Sequence, residues 1–367
     1  MNKKDLASIR RRFSPEKNDI SIIRGCFVNE KGETVSTFSK SPISLPESEA
    51  EHYFNAFKKT LGGAPDRNQF TLPVHTDDAA GHLLRQLQTS ELTDEKAVSQ
   101  LYKTIIDGLE IDGPYLILAM HDAYSVPYKK GEHTDTPDFT DKLFNYIIVS
   151  ICPVKLTKPL LTFFSDDRDF HTVEPDLAVA GPSLGFMYPT LSGNGADVNS
   201  ALYYTKDSDN IHADFIDAVF HTAAPEAAAD KREQFYDVLG DSLEKGLTFD
   251  VVQTIHENLN AQLNERKRGD GLQVGRKEIA SLLGSCDVGT SEQAAFDNAY
   301  LEQFGAVGLD AELIADQKRF EIETESAKIS VDPDRSDLVE VKRVDGRRAI
   351  TIWVEGDITV NGIEVDV

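Results

Sequence analysis

The sequence predicts an α+β protein: a mixed front part with a mainly antiparallel sheet, a helical middle and a C-terminal β tail. Three observations predict it. Two strongly apolar runs, Tyr115-Leu-Ile-Leu-Ala-Met120 and Asn145-Tyr-Ile-Ile-Val-Ser-Ile-Cys152, are fenced by Gly113-Pro114, Pro127, Asp141 and Pro153 and read as buried neighbouring strands. From Asp209 to Phe304 the apolar period turns helical. Near the end, alternating residues flank Asp345-Gly346, a strong short-range hairpin signal. The expected parts are 1–206, a sheet-containing domain, 207–318, a helical region, and 319–367, a β region.

In chain order, Leu6, Ile9 and Phe13 fall on one face of a first helix that Ser14-Pro15 ends. Ile20 to Val28 and Thr34 to Phe38 form a hairpin across Asn29-Glu-Lys-Gly32. A helix follows Ser44-Leu-Pro-Glu47 with an apolar stripe of Ala50, Phe54, Phe57 and Leu61, and Gly62-Gly63 stops it. Residues 64–77 are turn-rich. Helices are expected from Ala79 to Thr89 and from Thr93, a cap candidate, with Val98, Leu101, Ile105 and Leu109 on one side. The central strands come next, with Leu116, Leu118, Ile147 and Val149 as core. Further strands are Leu160 to Phe164, Gly185 to Tyr188 and Ala201 to Thr205. Helices near 209–221, 228–244, 249–267, 275–283 and 291–304 follow, the third carrying Val251, Ile255, Leu259 and Leu263 at spacings of four. In the tail, Ile350, Ile352 and Val354 share one face and Trp353 takes the other, so both faces are expected to be covered.

At 367 residues, 40% apolar and 27% charged, the chain holds more than one substructure. No stretch approaches the roughly 20 apolar residues of a membrane span, and Met1-Asn-Lys-Lys-Asp runs into Arg10-Arg-Arg12 without an apolar signal core. A cytoplasmic location without membrane attachment is expected. Cys26, Cys152 and Cys286 have no Cys-x-x-Cys spacing, which fits a reduced compartment. The net charge of −24 repels nucleic acid and anionic membranes at long range. Residues 1–24 depart from it, with seven Lys/Arg against three Asp/Glu. Lys3, Lys4, Arg10, Arg11 and Arg12 are therefore the first candidate nucleic-acid contacts, and Arg266, Lys267 and Arg268 the second. A solvated helix face is the competing reading of that segment.

His121-Asp122 at the end of the first central strand, with Tyr124 two residues on, is the candidate acid/base group. Adjacent residues on a strand point to opposite faces, however, so the pair need not cooperate, and an ordinary hydrogen-bonded strand-end histidine is the favoured reading of the position. Asp166-Asp-Arg-Asp169 with His171 has hard-cation oxygens, but capping aspartates of a turn use the same residues. Asp332-Pro-Asp-Arg-Ser-Asp337 starts like a calcium loop and lacks its glycine and final glutamate. No metal or cofactor is expected. Lys277 to Gly284 has the spacing of a helix-turn-helix first helix, but the following helix from Glu292 carries no Lys or Arg to meet phosphates.

Several stretches together resemble a known family: Met1-Asn-Lys-Lys-Asp-Leu, Tyr115 to Pro127, Ser150-Ile-Cys-Pro-Val-Lys-Leu156, Ile255-His-Glu-Asn-Leu-Asn260 and Asp334-Arg-Ser-Asp-Leu-Val339. They resemble the bacterial domain-of-unknown-function family numbered 4317, found largely in Clostridia and their relatives. That resemblance spans the chain, implies a cytosolic bacterial protein, and brings no catalytic residue. A second likeness, of architecture alone, is to the nucleoid-associated NdpA-type family. Three functions compete in this order: a non-enzymatic nucleoid-type protein meeting DNA through its basic N-terminus, an acidic module whose partner is another protein (a DNA-binding one included), and an enzyme using the His121/Asp122 region.

Overall fold

Tyr115–Val126 and Lys142–Leu156, which contain the two apolar runs, are the longest strands of the computed structural model and pair antiparallel with each other. The structure describes residues 3–14, 20–126, 142–166, 168–192, 195–266, 272–306, 308–316, 319–360 and 363–365. The chain divides into two units, Met1–Ala227 and Ala228–Val367.

The first unit begins with α1 (Lys3–Arg10), the hairpin β1 (Ile23–Val28) and β2 (Thr34–Lys40), and α2 (Glu47–Thr60). Then come β3 (Gln69–Pro73), α3 (Ala79–Thr89) and α4 (Glu95–Gly108). The two long strands are β4 (Tyr115–Val126) and β5 (Lys142–Leu156), followed by β6 (Leu160–Phe164), β7 (Asp169–Val173) and β8 (Leu177–Val179). The unit continues through β9 (Leu184–Tyr188), the short pair β10 (Thr190–Ser192) and β11 (Gly195–Asp197), β12 (Ser200–Thr205) and α5 (Ala213–Phe220).

Its main sheet runs β2-β1-β4-β5-β9-β12-β3, with β8 on the end of β5, and all these pairings are antiparallel. Both faces are covered. Leu84, Leu101, Ile105 and Phe215 from α3, α4 and α5 pack on Ile117, Ile147 and Val149. Ile9 of α1, Phe13 just after it, and Phe54 and Phe57 of α2 pack on Leu116, Leu118 and Ile148. Alternate residues of one strand thus enter two cores, which is why the central strands are continuously apolar rather than alternating. Helix α2 sits close to the strands at Gly185, where a Cβ would lie 2.3 Å from the Val149 carbonyl oxygen and 2.8 Å from Thr60 Cγ2. There the buried Thr60 and Ser150 hydroxyls share a hydrogen bond of 2.6 Å.

Three local features differ from expectation. Within the turn-rich stretch, residues 69–73 form an edge strand that the sequence did not announce, held by pairing with β12. Helix α4 is capped by Asp94, whose carboxylate accepts from the Lys96 and Ala97 amides, not by Thr93. Helix α5, expected within the helical region 207–318, buries Phe215 and Phe220 against Phe186 of the sheet and belongs to the first unit.

The second unit holds α6 (Ala228–Asp241), α7 (Phe249–Asn264), β13 (Gln273–Val274), α8 (Arg276–Ser285), α9 (Thr290–Phe304), β14 (Leu309–Asp310) and α10 (Ala311–Ile314). The predicted stripe Val251, Ile255, Leu259 and Leu263 is buried with Phe235, Ile279 and Phe296. Among the described residues the tail holds three hairpins, the first two joined through a 3-10 turn at Pro333–Leu338: β15 (Phe320–Glu323) with β16 (Lys328–Val331), β17 (Val339–Val344) with β18 (Arg347–Ile352), and β19 (Ile358–Val360) with β20 (Ile363–Val365). The tail is fastened to α7: Gln253 Nε2 donates to the Ser336 carbonyl at 2.6 Å, and the Ser336 hydroxyl donates to Glu257 at 2.8 Å. The β17–β18 turn has Asp345 and Gly346 both at positive φ, 51° and 77°, the type I′ geometry that the sequence announced. Trp353 departs from expectation. It is 59% exposed, with the Lys342 ammonium 5.9 Å from its ring centroid.

Candidate functional site

The expected acid/base residues separate by strand alternation. His121 and Asp122 are not at a strand end: β4 continues past them to Val126, held by its pairing with β5, and both are buried within it, facing opposite cores, His121 toward α3–α4 and Asp122 toward α1–α2. Asp122 is fully buried and its carboxylate is saturated. Arg12 donates from Nε to Oδ2 at 3.0 Å and from Nη2 to Oδ1 at 3.1 Å. The Tyr146 hydroxyl donates to Oδ2 at 2.6 Å, and the Ala123 amide to Oδ1 at 2.9 Å. Arg12 also donates to the Ala123 carbonyl at 3.0 Å, and its guanidinium lies 5.1 Å from the Tyr124 ring centroid. Burial, reinforced by the Asp122 charge, pushes the Tyr146 hydroxyl well above its ordinary pKa, so it remains a donor. This arrangement clamps α1 to the sheet. It leaves Asp122 no free lone pair aimed at a substrate.

His121 is 4% exposed, and its Nε2 meets no hydrogen-bond partner among the described residues. Burial lowers its pKa, against smaller opposing pulls from Glu91 and Asp122. Burial likewise lowers His256 and His212. A histidine depressed in the folded state binds its proton first in the unfolded chain. Stability is therefore fully present above the unfolded value of about 6.5 and declines as pH falls toward the folded values. The expected result is a lower denaturant midpoint at about pH 5.5 than at about pH 7.5, with a shallower drop in His121→Gln. An equal drop in both proteins would remove His121 as a contributor.

The candidate nucleic-acid residues are described in part, and each is placed within its own unit. Arg12 is turned inward onto Asp122. Arg10 is exposed, and exposed Arg11 donates to the Ala7 carbonyl and the Ser8 hydroxyl. Lys3 and Lys4 lie on α1, their side chains outside the described residues, as are Lys267 and Arg268 entirely; Arg266 is exposed after α7. Helices α8 and α9 pack together as a helical hairpin. Among the described residues no group of three or more His, Cys, Asp or Glu could hold a metal ion. Asp169 of the acidic turn accepts the Phe170 amide at 2.8 Å. Cys26, Cys152 and Cys286 are unpaired, and burial pushes the Cys152 thiol up to about 12. Among the described residues no helix is long and apolar enough to cross a membrane.

One feature was legible as a strand but not as a surface. Among the described residues, strands β6 and β7 pair only with each other, outside the main sheet. Their apolar residues stay in solvent: Leu161 is 69% exposed, Phe170 57%, Phe163 51% and Phe164 43%. Phe163 packs on Phe170 on one face of the hairpin, centroids 5.2 Å apart, and Phe164 on His171 on the other, 5.6 Å apart. The neighbouring cross-strand pair Leu156 and Leu177, where β8 meets β5, is exposed too. The signal that could have found this arm is Lys158-Pro159, which breaks the chain out of β5 before the apolar run begins.

No curated protein and no solved structure matches the chain, so nothing in these comparisons supports the NdpA-type likeness. One family model, described as Domain of unknown function (DUF4317), matches residues 1–363. That match takes in both units, the Arg12–Asp122 clamp and the exposed arm, and the chain belongs to the DUF4317 family.

Proposed function

We propose that the protein is a non-enzymatic interaction module whose partner is a basic, DNA-associated protein held through the β6–β8 arm. The observation that carries this reading is the exposure of large apolar residues on both faces of the β6–β7 hairpin. An isolated two-stranded hairpin is marginal in water, and contiguous exposed apolar surface marks contact sites. A partner covering the arm would bury Leu161, Phe163 and Phe170 and complete their packing. Charge selects the kind of partner. At −24 the chain repels a second copy of itself and attracts a cationic protein. The arm shares that sign, with five Asp/Glu against three Lys/Arg over residues 155–179.

Direct DNA contact is the alternative, and one experiment separates the two. The full chain and the variant Phe163→Ser/Phe170→Ser are used to capture proteins from native lysate with and without nuclease treatment, alongside mobility shifts on duplex DNA at about 50 mM salt. The expected result is retention of basic proteins by the wild type, insensitive to nuclease, weakened by salt and lost in the variant. Retention that nuclease abolishes would move the reading to DNA. With Lys3, Lys4, Arg10 and Arg11 as contacts, the slope of log affinity against log salt would then stay below about 4. Equal retention by the variant, or concentration-dependent self-association through the arm, would overturn the proposal.

A further inference from the structure

A cavity of about 460 Å³ lies between α2 and the sheet, within the size range of small-molecule sites. Its deep side is apolar, with Leu116 and Leu118 of β4, each under 10% exposed. Val179, at the end of β8, forms a wall. The other side is the polar flank of α2, where Glu49, His52, Tyr53 and Lys59 recur at helical spacing beside the buried stripe of Ala50, Phe54 and Phe57.

The charges at this site do not cancel. Glu49 is taken by Lys40, whose ammonium is 2.5 Å from Oε1 and 5.5 Å from the ring centroids of both Phe38 and Tyr53. Hydrogen bonding to Glu49 and then Tyr53 raises the Lys40 pKa, so the Lys40 ammonium keeps its charge beside Glu49 at neutral pH. Lys59, by contrast, makes no ion pair and donates no side-chain hydrogen bond among the described residues. Its stem lies against Gly181, where a Cβ would come within 3.1 Å of Nζ and 3.3 Å of Cδ. A glycine there leaves the ammonium room to stand at the cavity mouth.

We infer that this cavity binds a small amphipathic monoanion, a carboxylate whose apolar body rests on Leu116 and Leu118 and whose charge meets Lys59. The site is separate from the arm's apolar hairpin, and its test does not depend on the arm's partner. Decanoate is titrated calorimetrically into the full chain, with 1-decanol as the uncharged control. Decanoate is expected to bind saturably, one per chain, and about tenfold more tightly than decanol, the order that a charge-assisted hydrogen bond supplies. Lys59→Met is expected to remove that preference and leave decanol unchanged. Lys59 is on the surface, so the variant folds; Val179→Trp, also at an exposed position, is expected to abolish binding of both ligands by filling the mouth. The Phe163→Ser/Phe170→Ser variant keeps wild-type affinity. Decanoate and decanol binding equally, a preference that survives Lys59→Met, or no saturable binding to the folded wild type would each overturn the inference.

Discussion

Asp122→Ala is expected to lower the unfolding free energy of the first unit by about 3–5 kcal/mol, the usual penalty for removing one member of a buried ion pair. The carboxylate is fully buried and the Arg12 side chain only 17% exposed. Without Asp122, the guanidinium and the Tyr146 hydroxyl lose their acceptor in a place where water cannot replace it. The double variant Arg12→Met/Asp122→Leu removes both charges and fills the space. It should recover much of the loss, because desolvating the pair offsets most of its attraction. The sole tryptophan, Trp353, lies in the second unit, so the near-ultraviolet signal of the buried tyrosines is the better readout for the first. A wild-type midpoint in Asp122→Ala would show that the clamp is not holding α1.

Phe186→Ala should destabilise the same unit by a similar amount, about 3–5 kcal/mol for a large aromatic removed from a tight core. Phe186 is fully buried on the face opposite the clamp, 5.1 Å from the Phe220 centroid edge-to-face and 6.5 Å from Phe215. At roughly 2–4 °C per kcal/mol for a unit of this size, the melting temperature should fall by roughly 6–20 °C. Hydrogen exchange in α5 should accelerate before exchange in β4, since both Phe215 and Phe220 of that helix pack on Phe186. If α5 keeps its protection, its assignment to the first unit is wrong.

Much of the fold could be read locally. The central strands were visible because a run buried on both faces needs no alternation, only length and breakers. The stripe of α7 and the Asp345-Gly346 turn were visible because helical periodicity and positive φ are properties of neighbouring residues. The separation of His121 from Asp122 followed from strand alternation alone.

What escaped the sequence was decided by partners distant in the chain. Strand β3 is five residues with a glutamine and a proline, and only its pairing with β12, about 130 residues later, makes it a strand. Arg12 reads as one more cation of a basic helix until Asp122, 110 positions away, turns it inward. The arm shows the limit most clearly. Leu160-Leu-Thr-Phe-Phe164 has the composition of a core strand, and an apolar pattern states that a segment gains by leaving water. It does not state what will cover it. That depends on which strand edges and helix faces the rest of the chain leaves open, and among the described residues β6 and β7 pair only with each other.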